Sequence, residues 1–281
     1  MKDLLTNENK ILFPKNKITK KDIFNYYKKI YKKIIPLIKD RPITLKRFPE
    51  GINGIKFYQK NVSKFFPKWL KTVKVKTEKN TFINMVVIND LKSLLYISNL
   101  VSEIHIWLSK TDKLNYPDKM IFDLDASEKK FAKVKEAALD LKKILNSLKL
   151  QPYLMTTGSK GLHLIVPIKR EKNFDEVREI AKNIAEILVS KNIKKYTTEV
   201  RKNKRKGKVF IDYLRNSYAQ TTIAPYSIRA IENAPVAYVL DFKKLKNLKS
   251  SQDFNINNIK TFLKIPTKSF SLKLVSSILK K

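Results

Sequence analysis

The amino-acid sequence predicts an α+β protein of mixed sheets flanked by helices, and three observations carry that prediction. From residue 121 onward, apolar runs and helix-spaced repeats succeed one another as strand, helix, strand, strand, helix, strand, an order that suits a mixed sheet with helices on one face. Both helical repeats are amphipathic, so each has a face to bury against such a sheet. The run Ile121-Phe122-Asp123-Leu124-Asp125 then sets two carboxylates inside what otherwise reads as a buried strand. The 281 residues are 43% hydrophobic and 10% aromatic, ample for a core, and neither an internal repeat nor a low-complexity linker divides them, so one compact unit is expected.

Each element has its own signal. Residues 19–39 read as a basic, aromatic-rich helix opened by Thr19, with Pro36 breaking it or starting a new turn near its end. Residues 42–75 mix short strands and turns around Gly51 and Gly54, and Phe82–Ile88 is an apolar strand. A short helix near Leu91–Ser98 and the strand Glu103–Trp107 follow. After the Asp pair, Phe131, Val134, Ala138, Leu141, Leu145 and Leu148 recur at helical spacing. Strand Gln151–Thr156, the turn Gly158-Ser159-Lys160-Gly161 and strand Leu162–Ile168 read as a hairpin. A second amphipathic helix covers Phe174–Ser190, and Val209–Leu214 is an apolar strand with Asp212 at its centre.

Composition narrows the function classes. There are no cysteines, which excludes disulfides and thiolate zinc sites and suits a reducing interior. No stretch approaches the length of a membrane span, and Met1-Lys2-Asp3-Leu4-Leu5-Thr6-Asn7 lacks the apolar core of a signal peptide, so a soluble, cytoplasmic protein with no membrane partner is expected. The net charge of +35, from 60 Lys and Arg against 25 Asp and Glu, suits a polyanionic partner, nucleic acid first. Most of these cations are Lys in a chain also crowded with Ile and Asn, a composition that inflates the count, so the charge supports a reading without carrying one.

The carboxylates carry more. Alternation along a strand puts Asp123 and Asp125 on one face and Phe122 and Leu124 on the other. Two carboxylates that close raise each other's pKa unless a cation sits between them, and hard oxygen ligands suit magnesium or manganese. Alone, such a pair is more often a strand end facing water. Asp212, set among Phe210, Ile211, Tyr213 and Leu214, changes that balance, because an uncompensated charge there is costly and a shared metal removes the cost. Two metals held by three Asp residues activate a hydroxyl nucleophile and stabilise a departing pyrophosphate. Thr157, Lys160 and His163 are expected to face the same site, with the glycine-flanked turn offering backbone N–H groups to phosphate. The chain has only two histidines, and the other, His105, also lies on a predicted strand.

These residues resemble the primase-like polymerase domain of bacterial DNA ligase D, which also occurs as stand-alone proteins of prokaryotic non-homologous end joining and belongs to the archaeo-eukaryotic primase superfamily. The resemblance spans most of the chain. It runs through Leu5-Thr6-Asn7, Lys10, Thr19-Lys20, Arg41-Pro42-Ile43-Thr44-Leu45-Lys46-Arg47 and Phe57-Tyr58-Gln59-Lys60 to Glu103-Ile104-His105-Ile106-Trp107 and Pro117-Asp118. The Asp123/Asp125 pair, Thr157-Gly158-Ser159-Lys160-Gly161-Leu162-His163, Asp212, Thr221-Thr222-Ile223-Ala224-Pro225-Tyr226-Ser227-Ile228-Arg229 and Ala234-Pro235-Val236 complete it.

The resemblance implies the archaeo-eukaryotic primase fold with a catalytic module related to the RNA-recognition motif, and metal-dependent addition of nucleotides, ribonucleotides by preference, to primer ends at DNA breaks and gaps. It makes Asp123, Asp125 and Asp212 the catalytic ligands of a two-metal Mn2+ or Mg2+ site. Thr157, Lys160, His163 and Arg229 fall around the triphosphate of the incoming nucleoside triphosphate, His105 at the nucleotide or its sugar, and Phe57 and Tyr58 at an aromatic wall beside the base. Asn7, Lys10 and Lys20 fall in a pocket for the 5′-phosphate of a break, with Lys46 and Lys60 in the nucleotide or DNA channel. Residues 1–110 are then the DNA, 5′-phosphate and nucleotide-binding part, 111–240 the catalytic metal core and 241–281 a C-terminal helical tail.

Departures from the family pattern are Thr157 for a usual Ser, Ala126 for Pro, and Val239, Phe242 and Lys244 for Pro, Trp and Glu; none is an expected metal ligand. No ligase nucleophile motif and no nuclease region fit in the chain, which makes a separate DNA ligase, a nuclease and a Ku-type end-binding protein the expected partners of a nucleoid-associated enzyme. Two rivals are a replicative primase-type catalytic subunit, which starts chains without a primer, and a non-catalytic DNA end-binding module, in which the three Asp residues are structural.

Overall fold

The computed structural model describes residues 4–77, 79–126 and 130–259, so most of the expected C-terminal tail lies outside the described residues. Among those described are fourteen strands and four α-helices, numbered β1–β14 and α1–α4 in chain order. They divide into two compact units, one drawn from Met1–Asp112, Thr221–Ala237 and the start of the segment at Phe254, the other from Lys113–Gln220 and Tyr238–Asp253. The stretch that carries Arg229 packs with the first unit.

The first unit opens with a two-stranded antiparallel pair, β1 (Ile11–Phe13) and β2 (Ile18–Thr19), and enters α1 (Lys20–Ile38). Thr19 caps α1, its side chain accepting from Asp22 N–H while Asp22 accepts from the Thr19 N–H, a reciprocal capping box. Ile23, Tyr27, Ile30, Ile34 and Ile38, three or four residues apart, form the buried face. The helix runs past Pro36 to Ile38 without a break. Proline at that position removes a single N–H, and the next turn closes normally, Lys39 N–H donating to Ile35 C=O at 2.8 Å.

Strands β3 (Ile43–Arg47), β5 (Thr72–Lys76), β6 (Phe82–Val86), β7 (Ser102–Ile106) and β13 (Thr222–Ile223) form a sheet in the order β13-β7-β3-β6-β5, with β4 (Phe57–Gln59) also paired to β3. Helix α2 (Leu91–Asn99), capped by Asp90, packs on α1. Trp107, just after β7, is fully buried; Trp69 is partly exposed with the Lys92 ammonium 4.3 Å over its ring.

The second unit contains β8 (Lys119–Ala126), α3 (Phe131–Ser147), β9 (Tyr153–Thr156), β10 (Leu162–Pro167), α4 (Phe174–Lys191), β11 (Tyr196–Thr197), β12 (Val209–Asp212) and β14 (Val239–Leu240). Its sheet order is β11-β12-β8-β10-β9-β14; β11 pairs parallel to β12 and all other pairs are antiparallel, so the sheet is mixed. The strand-helix-strand-strand-helix-strand stretch from β8 to β12 folds with its first and third strands side by side at the centre, the arrangement of an RNA-recognition-motif module. Helices α3 and α4 pack on each other and on β8. They cover the face bearing Phe122 and Leu124, both fully buried, and leave Asp123 and Asp125 on the opposite face, each partly exposed.

Candidate active site

In the second unit, β-sheet register builds a row of functional side chains. Asp123 of β8 lies opposite Asp212 of β12 on one side and opposite His163 of β10 on the other, so the three project from the same face. His163 Nε2 is 3.4 Å from Asp123 Oδ1, and Arg215, one turn past β12, reaches both carboxylates, its Nε 3.7 Å from Asp123 Oδ2 and 3.5 Å from Asp212 Oδ2. Leu214 N–H donates to Asp212 Oδ1 at 2.8 Å and fixes that rotamer. Asp125 stands two residues farther along β8, opposite Phe210, with a buried Oδ1 that makes no hydrogen bond.

The electrostatics are those of crowded anions. Burial, then the charge of Asp123, raises the Asp212 carboxyl above its ordinary range despite Arg215. Asp125 is raised for the same two reasons, with Lys160, Arg205 and Lys202 opposing. Among the described residues no group of three His, Cys, Asp or Glu side chains is gathered to hold a metal ion as it stands. The donor set nevertheless fits one in kind: three hard carboxylates at adjoining register positions and an orphaned buried oxygen on Asp125.

The turn between β9 and β10 borders this row. Thr157 is buried, and its hydroxyl accepts from Gly161 N–H at 3.2 Å and Ser159 N–H at 3.3 Å. Those two N–H groups, expected to be offered to phosphate, are therefore taken by the turn itself. Ser251 Oγ donates to Gly161 C=O at 2.7 Å and Gln252 Nε2 to Ser159 C=O at 3.0 Å, so the turn is braced from outside. Lys160 remains exposed at its tip. Gly161 has no room for a side chain, since a Cβ there would lie 2.3 Å from Leu124 O.

The first unit gathers a second set of the expected residues. Tyr58, Lys46 and Glu103 are neighbours across β4, β3 and β7, and His105 lies two residues beyond Glu103 on the same face. Tyr58 stands edge-on to His105 with ring centroids 6.0 Å apart. Phe57, its neighbour along β4, points to the opposite face, where the Arg47 guanidinium sits 5.4 Å from its ring centre; the expected aromatic wall is thus Tyr58 alone on this face. At the centre is Glu103, fully buried, with His105 Nε2 and Arg229 Nε each 3.1 Å from Oε2, Lys46 Nζ 3.6 Å from Oε1, and Ala230 N–H donating to Oε1 at 2.9 Å. Burial pushes this carboxyl up, but His105, Arg229 and the Ala230 N–H outweigh it and hold it at about 2. Burial also lowers the His105 imidazole, against the pull of Glu103. Sequence reasoning assigned no role to Glu103 or Arg215; the signal available for Glu103 was its spacing of two from His105 on one strand.

Near the start of the first unit, Asn7, Lys10 and Lys20 are brought together: Lys10 N–H donates to Asn7 C=O at 3.0 Å and Lys20 N–H to Lys10 C=O at 2.9 Å. Lys20 is buried, its Nζ donating to Thr6 Oγ1 at 3.1 Å. Burial, then Lys10 and Arg47, lowers its pKa, the mark of converging cations lacking enough anions. Lys10 pairs with Glu50 at 2.7 Å. The helix end itself is closed by the Thr19/Asp22 box, so the side chains, more than the helix terminus, make this site attractive to an anion.

An RNA-recognition-motif sheet with carboxylates side by side on the face away from its two helices defines a primase-fold nucleotidyltransferase. The family described as LigD, primase-polymerase domain, matches residues 19–268, and the chain belongs to it. It is 33% identical over 237 residues to the multifunctional non-homologous end joining protein LigD of Mycolicibacterium smegmatis, covering 83% of this chain and 31% of that protein. To the bifunctional non-homologous end joining protein LigD of Bacillus subtilis it is 30% identical over 257 residues, covering 90% of this chain and 41% of the relative. The chain therefore spans between about a third and two fifths of these relatives. Among solved structures, the polymerase domain of Mycobacterium tuberculosis ligase D in complex with DNA superposes with a TM-score of 0.86 at 28% identity, covering 92% of this chain and 93% of that one.

Proposed function

We propose that this protein adds nucleotides, ribonucleotides in preference, to primer ends at DNA breaks and gaps in non-homologous end joining, in a reaction dependent on Mn2+ or Mg2+. The observation that carries this reading is the register row Asp212–Asp123–His163, with Asp125 two residues on, across one face of the sheet. Bound divalent cations would supply charge stabilisation to the primer hydroxyl and the departing pyrophosphate. The chain's own groups do the rest. Asp123, Asp125 and Asp212 provide the oxygens, and His163 beside Asp123 holds its carboxylate in orientation. Thr157 keeps the turn closed so that Lys160 meets the triphosphate. Lys46, His105 and Arg229, gathered by Glu103, contact the nucleotide, and Tyr58 offers a ring to any base. Asn7, Lys10 and Lys20 take the 5′-phosphate of the downstream strand. End-binding by a Ku-type protein, end-trimming by a nuclease and sealing by a DNA ligase complete the repair in the cytoplasm, at the nucleoid; among the described residues no helix is long and apolar enough to cross a membrane.

Primer extension on gapped DNA with a 5′-phosphate tests this, comparing ribo- and deoxyribonucleotides with magnesium and with manganese. Asp123→Ala, Asp125→Ala and Asp212→Ala should each abolish extension, a loss of about 10³-fold or more. DNA binding should be unchanged or tighter, because removing a carboxylate cannot weaken attraction for phosphate. Near wild-type extension in any of the three contradicts the assignment, and equal kcat/KM for the two sugars with one metal contradicts the ribonucleotide preference.

A further inference from the structure

Glu103 is the one fully buried carboxylate around which three of the expected nucleotide-binding side chains are arranged, and no expectation from the sequence gave it a task. Its place follows from register: Lys46 is its cross-strand partner on β3, His105 is two residues along its own strand, and Arg229 arrives from the segment that follows β13. Burying a carboxylate is costly unless it is both paired and hydrogen-bonded, and this one is, by two cations, an imidazole and a backbone N–H. The same neighbours could serve stability alone. Three details argue for more.

First, a carboxylate can only accept hydrogen bonds, so the contact of 3.1 Å between Glu103 Oε2 and His105 Nε2 requires the proton on Nε2. The imidazole is held neutral by burial, which leaves Nδ1 without a proton and able to accept. Second, one carboxylate holds two permanent cations, Lys46 on one oxygen and Arg229 on the other, so the two positive charges are presented together. Third, the exposed Tyr58 ring stands beside His105, so the cluster adjoins open surface that can receive a planar ligand.

We propose that Glu103 is a positioning residue of the nucleotide site: it fixes His105 as the neutral Nε2–H tautomer, leaving Nδ1 to accept a hydrogen bond from the incoming nucleoside triphosphate, and it holds Lys46 and Arg229 side by side for the phosphates. This rests on the reading of Lys46, His105 and Arg229 as nucleotide contacts. Glu103→Gln isolates the role well. A glutamine keeps the shape but has one acceptor oxygen in place of two, so it cannot accept from both Ala230 N–H and His105 Nε2–H, and it no longer anchors a cation.

The test needs no primer. With ¹⁵N-labelled histidine the chain gives only two imidazole signals, and His105→Asn assigns them. The wild type should show His105 as the Nε2–H tautomer, whereas Glu103→Gln should lose that single signature. In Glu103→Gln the Kd for ATP and the KM in primer extension should both rise about tenfold, the worth of one charge-assisted hydrogen bond, with kcat at saturation within about twofold of wild type. Glu103→Asp, which keeps the charge, should recover the tautomer in part. An Nδ1–H tautomer in the wild type overturns the proposal without any variant, as does a folded Glu103→Gln protein that keeps both the tautomer and the wild-type Kd. Failure of the wild type to bind ATP, with the Nε2–H signature present, overturns the nucleotide reading itself and the proposal with it, a result distinct from the other two.

Discussion

A single buried acid gives this protein a specific weakness toward low pH. Glu103 is held at about 2 in the fold against an ordinary 4.5. Below about pH 4.5 the unfolded chain takes up a proton at this residue and the native chain does not, so the stability Glu103 contributes at neutral pH is lost as pH falls toward about 2. For a side chain this buried the contribution is on the order of 3 kcal/mol. Glu103→Gln should therefore be less stable than wild type at pH 7, with the gap narrowing through pH 4 and closing near pH 2; urea unfolding across that range measures it, and a constant gap contradicts the assignment. The residue also shows where single-residue reading of the sequence stops. Asp123 and Asp125 are legible because apolar neighbours on one strand make two charges conspicuous. Glu103 looks like any strand-end glutamate until Lys46 and Arg229 arrive from 57 residues before and 126 after, through pairings that no local pattern encodes.

At the scale of elements, the turn between β9 and β10 is the most constrained piece of the candidate site. A methyl group on Gly161 would meet the backbone oxygen of Leu124, which cannot retreat without moving the strand that carries Asp123 and Asp125. Gly161→Ala should cost about 1–3 kcal/mol of stability and a larger share of activity, because relief comes by displacing β8. Chemical denaturation and primer extension on the same preparation check this; a variant of wild-type stability and rate shows that β8 has more freedom than the contact allows. The long helices follow their hydrophobic period closely, since each buries one face over several repeats, and the strands β8, β10 and β12 are legible as nearly continuous apolar runs buried on both faces. Shorter features do not announce themselves: β13 is two residues long, and its place beside β7 comes from tertiary pairing. Pro36 stays helical although it forfeits its own i→i−4 hydrogen bond, with the buried Ile34 and Ile38 on either side of it, and the Ser159 and Gly161 N–H groups go to Thr157, a choice made by side-chain geometry.

For the whole molecule, the charge of +35 predicts a strong salt dependence of DNA binding, and the proposed 5′-phosphate site predicts a choice among DNA substrates. Binding through six to ten phosphates would lose about 10³–10⁵ in affinity between 50 and 200 mM salt, so a steep slope is expected on any duplex. Above that background, Lys10→Ala and Lys20→Ala should weaken binding to a gap with a 5′-phosphate by about tenfold while changing little on the same gap without it. Equal losses on both substrates, measured by equilibrium titration at fixed salt, leave no phosphate pocket and favour a general primase-polymerase. Finally, both tryptophans of the chain, Trp69 and Trp107, belong to the first unit, and the second has none. Intrinsic indole fluorescence therefore reports the melting of the first unit alone, while far-ultraviolet circular dichroism sees helices in both. Coincident transitions by the two signals mean that the halves unfold as one cooperative body, and separated transitions mean that the carboxylate-bearing half has a stability of its own.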